Sequence, residues 1–288
     1  MWLFEAATSV LAFTSALACG TEPPRCPERL RSDLSDVSHR RPALWRLQEC
    51  RPTPGWAVEE VTRVLITDKH DATREDAAQT LGHIGKADDE AIQALLCASG
   101  GESDRVSTAA AWALSRIGRP AVPALRSALR AGGWVGEDRP VPYVNAVSAL
   151  GRMGEDVVPD LIDALKTGND DEAAGAASAL WSMGSPPAAA PALVNCLGRV
   201  NSHARRAAAQ ALAGMEPVAQ AVPGLVSVLQ DDWWVARWQA AETLERMGCV
   251  AAPALPNLER AAQDEFDSVA RAARAAVDKI RKACQPPE

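Results

Sequence analysis

The sequence predicts an all-α protein, a right-handed α-solenoid of about seven stacked helical hairpins. Three observations carry that expectation. An alanine-rich segment recurs with an apolar residue at a fixed place. A second apolar segment, opened by proline, follows most copies. Nowhere do apolar and polar residues alternate as they would in a half-buried strand.

The recurring segments are REDAAQTLGHIG (74–85), STAAAWALSRIG (107–118), YVNAVSALGRMG (143–154), AAGAASALWSMG (173–184), RRAAAQALAGME (205–216) and RWQAAETLERMG (237–248). Their fixed apolar position is Leu81, Leu114, Leu150, Leu180, Leu212 and Leu244, and a seventh copy, AARAAVDKI, places Val277 there. The spacing is roughly 32 residues, the length of one two-helix repeat. The glycine after Ile or Met fits a left-handed residue that closes a helix. The segments that follow, such as AVPALRSAL, VVPDLIDAL and AVPGLVSVL, carry proline in the first turn, where a missing N–H costs little. One such unit cannot bury its apolar face alone, so the units must stack into a continuous core.

This pattern resembles HEAT-like repeats of the phycobilisome-lyase type, in which an Asp-rich turn precedes VR-x-x-AA-x-AL-x-x-IG and a Pro-Ala-Leu helix follows. Arg205–Met215, Arg237–Gly248 and Ser107–Gly118 match best, and the resemblance runs from about residue 56 to 284. The segment GWAVEEVTRVLITD reads as the second helix of a partial first unit. The resemblance implies that the alanine-rich helices line the concave side of the superhelix. It does not imply one function, because this fold serves many unrelated tasks.

The domain plan that follows is a signal peptide over 1–18, a Pro-rich tether and N-terminal cap over 19–55, and a repeat domain over 56–288. Val10 to Ala18 is an apolar run too short for a confident membrane span, and Ala16-Leu17-Ala18 fits the small-x-small pattern read by signal peptidase. Cys19 is the lipidation candidate, through a loose resemblance to a bacterial lipoprotein box, and it implies membrane anchoring of the N-terminus. A basic n-region is missing, since no Lys or Arg precedes Arg25. The expected location is therefore extracytoplasmic, with an ordinary N-terminal helix of a cytoplasmic protein as the alternative. Cys26 and Cys50 flank one segment and are the disulfide candidate for an oxidising compartment. Cys249 and Cys284 follow the ends of neighbouring helices and form a weaker candidate. Cys97 and Cys196 lie in apolar stretches and read as inert core thiols.

At 100° per residue, the positions six and two before the fixed apolar residue and two after it share the face opposite the core. That register yields Trp112 and Arg116, Arg152, Arg206, and the trio Trp238, Glu242 and Arg246, with Trp181 at the margin. Exposed Trp and Arg are the residue types most enriched at binding hot spots. These eight residues are the candidate partner-binding set, and the alternative for each Trp is that it covers a packing gap. Trp112, Trp181 and Trp238 come from alternate units, about 20 Å apart at ordinary helix spacing, so they are anchors for an extended partner rather than one cage.

The chain carries a net charge of −7, which argues against nucleic acid as partner. None of the four His stands at metal-ligand spacing, no C-x-x-C occurs, and no phosphate loop or nucleophile elbow is present, so neither a metal nor a cofactor is implied. Asp170-Asp171 and Asp231-Asp232 fall in turns, where carboxylates cap free backbone N–H groups. The expected function is a non-enzymatic scaffold or adaptor, monomeric, that binds a protein or peptide through its concave groove. The alternative is a HEAT-like enzyme acting on DNA in the manner of a glycosylase, or on a tetrapyrrole in the manner of a bilin lyase.

Overall fold

The computed structural model describes residues 26–132 and 141–285. Cys19 and the signal-peptide segment 1–18 lie outside the described residues. Within them the chain is helical throughout and contains no strand. The helices are α1 (Leu30–Ser35), α2 (Arg40–Glu49), α3 (Ala57–Thr67), α4 (Asp71–Ile84), α5 (Asp89–Ser99), α6 (Asp104–Ile117), α7 (Val122–Ala131) and α8 (Val141–Arg152). They continue as α9 (Val158–Thr167), α10 (Asp170–Ser182), α11 (Ala190–Cys196), α12 (Ser202–Ala213), α13 (Val222–Val228), α14 (Trp234–Met247), α15 (Leu255–Ala261) and α16 (Asp267–Ala283). No described helix is long and apolar enough to cross a membrane.

Two layers result. The alanine-rich helices α4, α6, α8, α10, α12, α14 and α16 pack each on the next, and each also packs on the outer-layer helix that precedes it. Alanine at the contact positions permits this closeness. Leu81, Leu150, Leu180 and Leu244 are fully buried, and Leu114, Leu212 and Val277 are nearly so. Proline opens α7, α9, α11 and α13 within the first two positions, each after a short 3-10 turn. In the sixth unit Pro253 falls inside the 3-10 segment, and α15 begins only at Leu255, with Pro256 in its first turn. The closing glycines all reach positive φ where expected in units one to four and six; Gly85 is left-handed helical, whereas Gly118 and Gly248 pair positive φ with ψ of −141° and −136°.

The stack begins earlier than the repeat pattern indicates. Helix α3, the expected second helix of a partial first unit, packs on both α4 and α5, and α2 packs on α4, so α2 completes that unit. From Cys26 onward, the stretch read as tether and cap is a folded cap, with Leu30, Leu34, Leu44 and Leu47 buried. Its sequence lacks the AA-x-AL pattern, so only its packing reveals that α2 joins the stack. Cys26 is bonded to Cys50 with their Cα atoms 5.2 Å apart, which ties the cap to the end of α2. At the other end, Cys249 is bonded to Cys284 with Cα atoms 5.0 Å apart, tying the last helix to the end of α14. Cys196 is buried, and burial pushes its thiol up to about 11. Cys97 departs from the expectation of an inert core thiol. It is exposed, in a cleft with Leu65 and Ile66, because it falls on the flank of α5 that no neighbouring helix covers.

Among the described residues, an arginine–aspartate clamp in which the aspartate also caps a turn joins successive units at three places. Arg205 Nε donates to Asp231 Oδ2 (2.6 Å), Arg237 Nε donates to Asp264 Oδ2 (2.7 Å), and Arg40 donates to Asp68. Each aspartate also caps a turn, accepting from the backbone N–H of Trp233 (2.9 Å), Phe266 (2.9 Å) or His70 (2.8 Å). Each arginine reaches a carbonyl of its own preceding turn, at Arg199 (2.6 Å), Asp231 (2.8 Å) or Leu34 (2.7 Å). At the fourth unit the capping expectation shifts by one residue. Asn169 caps α10, accepting from Glu172 N–H at 2.8 Å. Asp170 instead pairs with Arg199 at 2.9 Å.

Candidate functional site

The face of the alanine-rich layer carries two separate clefts. The first, of about 660 Å³, is walled by α4, α6 and α8 and lined by Glu75, Gln79, His83, Asp104, Arg105, Thr108, Ala109, Trp112 and Arg152. Trp112 is half-buried at its centre. Its indole lies against the backbone of α4 at Gly82, where a Cβ atom would come within 2.5 Å of the ring, so only glycine permits the approach. His83 tilts against the same indole with ring centroids 5.0 Å apart and holds its Nδ1 on the Gln79 carbonyl at 2.9 Å. That hydrogen bond makes Nδ1 the protonated nitrogen. On the rim, Arg105 and Glu75 pair at 2.7 Å.

The second cleft, of about 490 Å³, lies between α14 and α16 and is lined by Trp234, Val235, Trp238, Glu242, Glu245, Ser268, Arg271, Ala272 and Ala275. Trp234 stacks on Phe266, their rings 5.6 Å apart and 9° from parallel. Its neighbour Trp233 turns the other way, meeting His203 edge-on at 4.4 Å and lying under Arg206 at 5.9 Å. Consecutive residues of a helix start point about 100° apart, so the Trp-Trp pair seats α14 against the units on both sides.

The structure distributes the eight predicted residues. Trp112 and Arg152 share the first cleft, and Trp238 and Glu242 share the second. Arg116 and Arg246 are exposed and line neither. Arg206 is half-buried on Trp233 and donates to Gln210 at 3.1 Å. Trp181, 48% exposed, sits at the end of α10, outside both clefts. The register rule also places Glu75, Gln79, His83 and Thr108 in the first cleft. Extended to the seventh copy, the rule would have supplied Arg271 and Ala275. It fails at α10, where Ala174 and Ser178 are buried. Gly175 lets Leu129 of α7 approach where a Cβ would meet it at 2.6 Å, which draws α10 toward the outer layer and below its neighbours. Trp234 falls outside the rule because α14 starts three residues before the repeat pattern does.

Glu242 sits in its cleft with no hydrogen bond or ion pair among the described residues. Burial raises its pKa, Glu245 raises it further, and Arg246 opposes both from a distance. Elsewhere the buried acids are compensated. Glu172, fully buried, accepts from Arg126 Nε (2.6 Å) and Arg130 Nε (2.8 Å). Among the described residues no cluster of His, Cys, Asp or Glu is placed to hold a metal ion.

Tandem helical hairpins stacked in two layers, with clefts on one of them, define a repeat solenoid. The family described as HEAT repeats matches residues 58–135, 135–213 and 190–277, and the chain belongs to that family. No curated protein matches it in sequence. Among solved structures, it is similar to the karyopherin Kap121p bound to the extreme C-terminus of the protein phosphatase Cdc14p (14% identity, TM-score 0.62), covering 89% of this chain and 34% of that one. Kap121p bound to Nup53p gives 14% identity and a TM-score of 0.59, with 88% and 33% covered. The chain thus spans about a third of Kap121p. It is also similar to the CpcE–CpcF complex of phycocyanin lyase from Nostoc sp. PCC7120 (23% identity, TM-score 0.43), covering 55% of this chain and 98% of that one.

Proposed function

We propose that this protein is a non-enzymatic scaffold, monomeric, that holds a protein partner by an extended segment or helix laid along the concave surface of its alanine-rich helices. One observation carries the reading. Two clefts open on the same face, each with a half-buried tryptophan at its centre and charged residues at its rim. Spaced aromatic anchors of this kind suit a partner that spans several repeats. The fold is compatible with that use, since Kap121p, built the same way, is seen with a bound C-terminal segment of Cdc14p. Acids interrupt the basic residues in both clefts, Glu75 and Asp104 in one and Glu242 and Glu245 in the other, which counts against a nucleic-acid phosphate track.

The test is capture of partners from the native cell by the full chain and by a Trp238→Ala, Arg246→Ala double variant. The reading expects unchanged thermal stability and loss of the captured partner. An unfolded double variant, or undiminished capture, would overturn it. We also propose an extracytoplasmic location. Its support is the pairing of Cys26 with Cys50 and of Cys249 with Cys284, which suits an oxidising compartment. Mass spectrometry of the mature N-terminus decides this, and an intact Met1 in the soluble fraction would sink it.

A further inference from the structure

The two clefts differ in one respect that bears on what they take. In the first, the rim acid Glu75 already has its cation, Arg105, at 2.7 Å. In the second, Arg271 and Lys279 are engaged elsewhere, and the exposed Arg246 stands one helical turn from Glu242 without pairing with it. Arg271 pairs with Asp267 at 3.0 Å, and Lys279 reaches only Glu245, at 3.3 Å. Among the described residues Glu242 is left half-buried with no hydrogen bond or ion pair, one helical turn from the Trp238 indole, with Arg246 attracting and Glu245 repelling it only from a distance. A partly desolvated carboxylate with no directly paired cation is costly, and a ligand cation that contacts it recovers that cost on binding. Residues four apart on a helix are neighbours, about 5–6 Å between Cβ atoms, so one group can lie on Trp238 and still reach Glu242.

We propose that the cleft between α14 and α16 is a subsite for an arginine side chain of the bound partner. The planar guanidinium stacks on the Trp238 indole and donates to the Glu242 carboxylate, with Glu245 adding to the negative field. A flat, weakly hydrated cation suits an indole face and a carboxylate together better than the compact ammonium of lysine. The cleft volume of about 490 Å³ accommodates the side chain with its flanking backbone. This inference rests on the reading of the alanine-rich face as a recognition surface and adds the chemistry of one anchor.

The test uses the full chain, ¹⁵N-labelled, titrated with acetyl-arginine amide, acetyl-citrulline amide and acetyl-lysine amide. The Trp238 indole N–H signal is assigned from Trp238→Phe. The arginine probe should shift that signal saturably, the citrulline probe should bind at least about tenfold more weakly, and Glu242→Gln should weaken arginine binding by about tenfold. Equal binding of citrulline, equal binding of lysine, or full arginine binding by Glu242→Gln would each overturn the assignment. The broader reading is separated by a pool of neutral peptides. Retention by the wild-type chain but not by Trp112→Ala, with no arginine shift at Trp238, sinks the subsite and leaves the recognition face standing. Absence of any peptide binding sinks both.

Discussion

Arg205 Nε donates to the Asp231 carboxylate at 2.6 Å, and that charged bond ties α12 to the turn that launches α14. Asp231 is fully shielded and accepts as well from Ser202 Oγ (2.7 Å) and the Trp233 N–H (2.9 Å). Breaking a buried pair strands the remaining charge, at about 3 kcal/mol or more. Asp231→Ala is therefore expected to lower unfolding free energy by about 3 kcal/mol in urea titrations. Asp231→Asn keeps an oxygen for the cap and should lose less. A loss below about 1 kcal/mol for the alanine variant would show the clamp to be ornamental.

The same carboxylates set the response to acid. Burial alone would raise Glu172 and Asp231, but Arg130 and Arg126 at the first, and Arg205 with the Trp233 N–H at the second, more than reverse it, so both lie below their ordinary values. A carboxyl lowered in the folded chain contributes stability that is whole above its unfolded value, 4.5 for Glu and 3.8 for Asp, and is lost as pH falls through the lower folded value. Urea midpoints should hold steady from about pH 7 to about pH 5 and then fall steeply. In Glu172→Gln the fall should be shallower from a lower starting stability. An identical acid profile would contradict the role given to Glu172.

Gly82→Ala tests the seating of Trp112. The added methyl would have to displace an indole 2.5 Å away, and overpacking of this kind costs about 1–3 kcal/mol. The variant should also change Trp112 emission, read as the difference spectrum against Trp112→Phe. Trp181→Ala, at an exposed position, should stay within about 0.5 kcal/mol of the parent.

Removing either disulfide should cost about 2–4 kcal/mol, since each closes a long loop in the unfolded chain. The sequence separations are 24 and 35 residues. Because repeats hold mainly to their neighbours, the loss should be local. Hydrogen exchange should quicken in α1 and α2 for Cys26→Ser and in α16 for Cys249→Ser, with α8 to α12 unchanged. Uniform acceleration along the chain would argue against this.

The fixed leucines, the prolines and the glycines made the layering readable, because each occupies a position that geometry dictates in every unit. The register through Leu81, Leu114 and Leu244 also led to Trp112, Trp238 and Glu242. What it could not show was relative depth. Whether Ala174 faces solvent depends on how far Leu129 pushes into Gly175, a contact between helices 46 residues apart in sequence. The place of α2 in the stack was hidden for a different reason: it packs as the repeats do but without their alanines. The clamps were half-visible, as Arg205 and Arg237 at one register position, while their partners Asp231 and Asp264 lie a whole unit away.

The clamps are unevenly spread. Among the described residues they sit between α2 and the turn before α4, and again from α12 to α16, leaving the joints from α4 through α12 without one. Under tension applied through its two ends, the array should therefore yield first between α4 and α12, the stretch that includes the walls of the Trp112 cleft. The Trp238 cleft, set between two riveted joints, should keep its width under the same load.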